Sequence, residues 1–121
     1  MRIPTYAATQ RETLIGRALE REVFSRVTAR LDQAGGAEGT PATLAAALEE
    51  NRYLWRTLAV DLSNDRNAAA DELKAGLLSL AAFVETHTAR VHAGDAGIGI
   101  LVTINRNIID GLTPAATARA A

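Results

Sequence analysis

Two stretches of this 121-residue chain place their apolar residues at alternating steps of four and three. In the first, Leu44, Leu48, Asn51, Trp55, Leu58 and Leu62 follow that rhythm. In the second, Leu73, Leu77, Leu80, Val84, His87 and Val91 do the same. Such steps keep side chains on one face of an α-helix, whereas a strand would alternate every second residue. A helix with one apolar stripe must bury it against another element. Two such helices, joined by the short polar run 63–67, predict a packed antiparallel pair. Each stripe carries one polar member, Asn51 in the first and His87 in the second, and a polar group inside a stripe needs a hydrogen-bond partner.

The remaining sequence extends the helical reading. A first helix is expected from about Thr9 to Ala34, with Leu14 or Ile15, Ala18 or Leu19, Phe24, Val27 and Leu31 along its apolar side. Gly35, Gly36 and Gly39 end it, because no helix carries that density of glycine cheaply. Thr40-Pro41 opens the second helix, threonine as N-cap and proline at the first helical position. That helix should reach about Ser63. Asn67 is the expected N-cap of the third, which should run to about His92 with Gly94 closing it. A fourth is expected over 98–110, with Leu101, Ile104 or Asn105, Ile108 and Leu112 on its buried side and Gly111 as its stop. The fold class is therefore all-α. It is a compact bundle of about four helices, mostly antiparallel, forming one domain over 1–112 with a disordered, frayed C-terminal tail over 113–121.

Charge narrows the function. With 13 basic and 14 acidic residues the net charge is −1, and the signs are interleaved along the helices. Nonspecific nucleic-acid binding needs a concentrated positive field, which this balance does not supply. There are no cysteines, so thiolate chemistry is excluded. His87 and His92 are five apart, not the four that sets two ligands on one helical face. Neither paired carboxylates nor a serine–histidine–acid arrangement stands out. The Gly-x-Gly at Gly97 and Gly99 follows a helix rather than a strand, so it reads as a turn. The chain is read as a non-enzyme with no cofactor and no metal. The start of the chain lacks an apolar leader and no run of about 18 apolar residues occurs, so a cytoplasmic location is expected.

Several residues admit two readings. Trp55, the single tryptophan, is either a core anchor or a groove residue that touches a partner helix. Asn51 either fixes helix register or makes a partner contact. His87 is a hydrogen-bonded core histidine or a pH-sensitive contact, and His92 is a helix-end residue. Asn105 and Asn107 are caps, contacts or exposed. Tyr6 is an anchor ahead of the first helix or a packing residue with a wet hydroxyl. Leu14, Phe24 and Leu31 mark the first helix, which either docks permanently or shifts about the glycines to admit a partner helix into a groove beside the second.

The order of these pieces also carries a resemblance. Glu50-Asn51-Arg52-Tyr53-Leu54-Trp55, Asp61-Leu62, Asn67, Leu77-Leu78-Ser79-Leu80-Ala81 with Phe83-Val84 and His87, and Ile104-Asn105-Arg106-Asn107-Ile108-Ile109-Asp110-Gly111-Leu112 together resemble the flagellar biosynthesis regulator FlaF family. The likeness spans about Tyr6 to Leu112. It departs where Ala69-Ala70 stands in place of a Leu-Pro and Lys74 in place of an arginine. The resemblance implies a flagellum assembly factor that promotes flagellin synthesis and secretion. Flagellin is the favoured partner and FlbT a second one. Chaperone-like binding of flagellin's terminal helices is the favoured mechanism. The alternative is a post-transcriptional regulator acting on flagellin mRNA, directly or through FlbT.

Overall fold

Four helices occur in the computed structural model, which describes residues 21–64, 66 and 69–111: α1 over 21–34, α2 over Pro41–Leu62, α3 over Asp71–His92 and α4 over Gly99–Gly111. No strand occurs among the described residues. The sequence places the ends of these helices through local chemistry. The Thr40 hydroxyl accepts the Thr43 amide at 3.1 Å and the Thr43 hydroxyl accepts the Thr40 amide at 2.8 Å, with Pro41 in the first turn. Two amides that a helix start leaves without partners are thereby satisfied. At the end of α3, Gly94 adopts φ +82° and its amide bonds Val91 O, while the Asp95 amide bonds Arg90 O. This Schellman closure needs a left-handed residue, which glycine supplies without strain.

Two expected boundaries are corrected. The position expected to cap α3, Asn67, lies outside the described residues, and the helix begins later, at Asp71. Ala70 is still extended, at φ −62° and ψ 146°, and offers no side chain to the first-turn amides. Asp71 and Glu72 place negative charge there, where the helix dipole favours it. Gly111 is the last residue of α4 rather than its stop. Tyr6, Leu14 and the expected tail over 113–121 also fall outside the described residues.

Among α2, α3 and α4, the close backbone pairing is that of α2 with α3. They run antiparallel, with Glu49 opposite His92 and Arg56 opposite Glu85. Along α2 the stripe is buried as read, from Leu48 through Asn51, Trp55 and Leu58 to Leu62, with Leu44 half-buried. Along α3 the stripe fades toward the N-terminus. Val84 and His87 are buried, Leu77 and Leu80 half-buried, and Leu73 is 55% exposed. Following the α2–α3 register down the pair carries Leu73 past the last turn of α2, so nothing on that helix lies opposite it. Helix α1 adds Phe24, Val27 and Leu31 to the core, and α4 adds Leu101, Val102 and Ile104.

The glycine-rich link from α1 to α2 is closely packed. A Cβ on Gly39 would stand 1.8 Å from the Ala34 carbonyl oxygen, and one on Gly35 would stand 2.2 Å from Ile98 Cδ1. These glycines let the backbone pass close to itself and let the link before α4 seat on the end of α1. Among the described residues no helix is long and apolar enough to cross a membrane.

Candidate functional site

Where α1, α2 and α4 meet, three polar side chains form one chain of hydrogen bonds inside the core. Trp55, Asn51 and Asn105 are at most 1% exposed. The Trp55 indole N–H donates to Asn105 Oδ1 at 2.9 Å, and Asn105 Nδ2 donates to Asn51 Oδ1 at 2.7 Å. The direction of this chain is fixed by chemistry. An indole nitrogen can only donate, so Asn105 must present oxygen to it and nitrogen to Asn51. Asn51 must then accept through its oxygen, which leaves its own Nδ2 buried without a partner. Phe24 of α1 packs edge-on against the indole, with ring centroids 5.4 Å apart at 84°, an orientation favoured by the ring quadrupoles.

Two other buried polar groups, both threonines, bond within their own helices. Thr28 and Thr88 donate their hydroxyls to the carbonyls of Phe24 and Val84, one turn earlier on the same helix. His87 Nε2–H donates to Gly97 O at 2.8 Å, and the ring stacks on Phe83. That contact holds the α3–α4 link against α3.

A chain of ion pairs runs along the outer face of α2 and α3. Arg56 grips Glu85 with two bonds, at 2.7 and 2.6 Å. Arg52 bridges Glu85 and Glu49, and His92 Nε2 lies 2.8 Å from Glu49. The His92 bond, aided by Arg52, holds the Glu49 carboxyl below its ordinary 4.5, and the bonded Arg56 guanidinium does the same for Glu85. Unfolding returns both carboxyls to the ordinary value. Their contribution to stability is therefore complete above pH 4.5 and is lost as pH falls toward and through the folded values. Denaturant midpoints measured from about pH 6 down to about pH 3 should fall on the acid side, and Glu85→Gln should flatten that fall. The change should be modest, because these side chains are substantially exposed and salt screens them.

The candidate residues of the sequence are thus distributed unevenly. Asn51, Trp55, Phe24 and Leu31 come together in the core, and Tyr6 and Leu14 lie outside the described residues. A groove of about 1010 Å³ does run between α1 and α2, at the end nearest the glycine link. It is lined by small and charged residues, among them Ala34, Gly39, Ala47, Arg30 and Glu50, and by neither Phe24 nor Leu31. Asn105, the centre of the hydrogen-bond chain, was read from the sequence only as an alternative to Ile104 on the buried side of the fourth helix and as a cap, contact or exposed residue, not as the partner of Asn51 and Trp55. The signal for it was the Leu101-x-x-Ile104-Asn105-x-x-Ile108 pattern together with the unmet need of Asn51 for a partner. Among the described residues no group of three or more His, Asp or Glu side chains could hold a metal ion.

These features define a small helical bundle whose specific interior is a directed indole–amide chain. The chain belongs to the FlaF family: the model of flagellar protein FlaF matches residues 3–112. No curated protein and no solved structure matches it.

Proposed function

We propose that this protein is a non-enzymatic flagellum assembly factor that binds flagellin through flagellin's terminal helices. It keeps their apolar stripes from polymerising in the cytoplasm and presents the subunit for export. The observation that carries the reading is membership of a flagellar family over nearly the whole chain. The surface adds support. Tyr53, Val60, Leu73, Phe83 and Ile100 are large apolar side chains left 42–74% exposed on helices, and partner helices are commonly recognised on such surfaces. Four of the arginines favour a protein partner over RNA. Arg30, Arg52, Arg56 and Arg106 are each bonded to a carboxylate, so they do not present an unneutralised basic stripe of the kind nucleic acid requires.

Purification from flagellated cells, with and without ribonuclease, tests this. A flagellin complex that survives ribonuclease, and that re-forms from purified components at micromolar concentration, is the expected result. A complex lost with ribonuclease, or formed only when FlbT is present, would replace the chaperone reading with post-transcriptional regulation.

A further inference from the structure

We propose that α4 is the resident occupant of a helix-binding groove between α1 and α2, distinct from the one beside the glycine link that Arg30 and Glu50 line. The partner helix that replaces it is amphipathic, with one carboxamide set in its apolar stripe. This rests on the helix-binding role proposed above and names where the helix binds.

Helix α4 touches both walls of that groove. Asn105 bonds to Asn51 and Trp55 on α2, Arg106 bonds to Asp32 on α1 at 3.0 Å, and Ile98 covers Gly35 at the end of α1. Toward α2 it does so through side chains, without the close backbone approach that α2 and α3 make. Its start has no side-chain cap. Ile98 precedes the first turn and has no polar atom with which to cap it, although its carbonyl accepts the Leu101 and Val102 amides. The link back to α3 contains Gly94 and Gly97, and Gly99 opens the helix. Nothing stands within 4 Å of where a Cβ would project from any of the three; release of α4 breaks the His87–Gly97 bond and lifts Ile98 from Gly35.

The unpartnered Asn51 Nδ2 gives a competitor its advantage. The bound α4 ends the hydrogen-bond chain one acceptor short, in a site where Asn51 is fully buried. A helix that repeats the spacing of Leu101, Ile104, Asn105 and Ile108, and also brings an acceptor within reach of Asn51 Nδ2, binds the open groove better than α4 does. A ligand shifts such an equilibrium only by binding one state better than the other. The missing acceptor supplies that difference.

The test tethers α4. The chain has no native cysteine, and Asp32 and Arg106 are 55% and 60% exposed. The full-length double variant Asp32→Cys/Arg106→Cys can therefore be joined with a reductant-cleavable bis-maleimide. The control variant Arg30→Cys/Glu50→Cys joins α1 to α2 instead. Purified monomeric flagellin is titrated into each. The α1–α4 tether should weaken binding by about tenfold or more, because it removes the binding-competent population. Cleavage should restore affinity, and the α1–α2 tether should change it by less than about twofold. Equal binding by the α1–α4 tethered protein would overturn the inference while leaving the flagellin reading intact. If untethered protein binds no flagellin, that reading falls, and amide hydrogen exchange of the free protein decides the inference alone. Exchange of α4 ahead of α2 and α3 supports it, and exchange of α4 only with the whole bundle overturns it.

Discussion

Trp55→Ala should cost about 3–5 kcal/mol of folding free energy, enough to unfold a marginal bundle at physiological temperature. The indole is 1% exposed, so its removal loses the transfer energy of the largest side chain in the core and leaves a cavity. It also removes the edge-on partner of Phe24 and the donor to Asn105 Oδ1. Trp55→Phe separates these contributions. The ring contact with Phe24 is largely kept, while Asn105 Oδ1 loses its donor, for a smaller loss of about 1–3 kcal/mol. Urea denaturation followed by circular dichroism reads both. If Trp55→Ala melts within a few degrees of the parent protein, the indole is not an anchor of this core and the placement of α2 against α1 is wrong.

Asn105→Ala should be the more damaging of the two amide truncations, despite removing the same kind of side chain as Asn51→Ala. The direction of the hydrogen-bond chain is the reason. Without Asn105, the Trp55 N–H has no acceptor and Asn51 loses its one partner, so two buried groups are stranded. Each costs about 1–3 kcal/mol. Without Asn51, only Asn105 Nδ2 is stranded, and a donor that already lacked a partner disappears with it. Asn105→Ala should therefore destabilise by about 2–5 kcal/mol and Asn51→Ala by about 1–2 kcal/mol. Denaturant midpoints in the reverse order would mean that the amides are oriented otherwise. The double variant should cost less than the sum of the singles, because the two side chains share a bond.

The helices and the α2 core face were legible because their causes are local. Alternating steps of four and three, the Thr40-Pro41 start and the Gly94 closure act within a few residues of chain, and a sequence displays them directly. The α3 stripe was legible only in rhythm. Leu73 keeps the spacing of Val84, yet it lies past the last turn of its partner helix, and only the pairing register reveals that. The glycine link shows the same limit. Three glycines in five residues read as a flexible joint, but whether glycine serves motion or close approach depends on what lies across from it. Here those neighbours are the Ala34 carbonyl and Ile98.

The site was half-readable for a related reason. Asn51 and Trp55 declared unmet hydrogen-bonding needs from their place on one stripe. The residue that answers both, Asn105, lies 54 and 50 positions further along the chain, and spacing within one helix carries no information about it. Neither does it foretell the Arg56–Glu85 grip, which joins exposed residues of two helices and leaves no mark on apolar rhythm. Buried polar groups do constrain one another more tightly than apolar ones, since each needs a partner of opposite hydrogen-bonding sense. Asking which other polar residue falls on a buried stripe leads to Asn105.

The single indole, sealed in the core and bonded to an amide of α4, also gives the molecule an optical reporter of its own. Its emission reflects whether α4 is seated, because lifting that helix exchanges an amide oxygen and apolar walls for water. Fluorescence of the unlabelled protein would therefore report any release of α4 in real time. No dye or engineered probe is needed, and no second tryptophan obscures the signal.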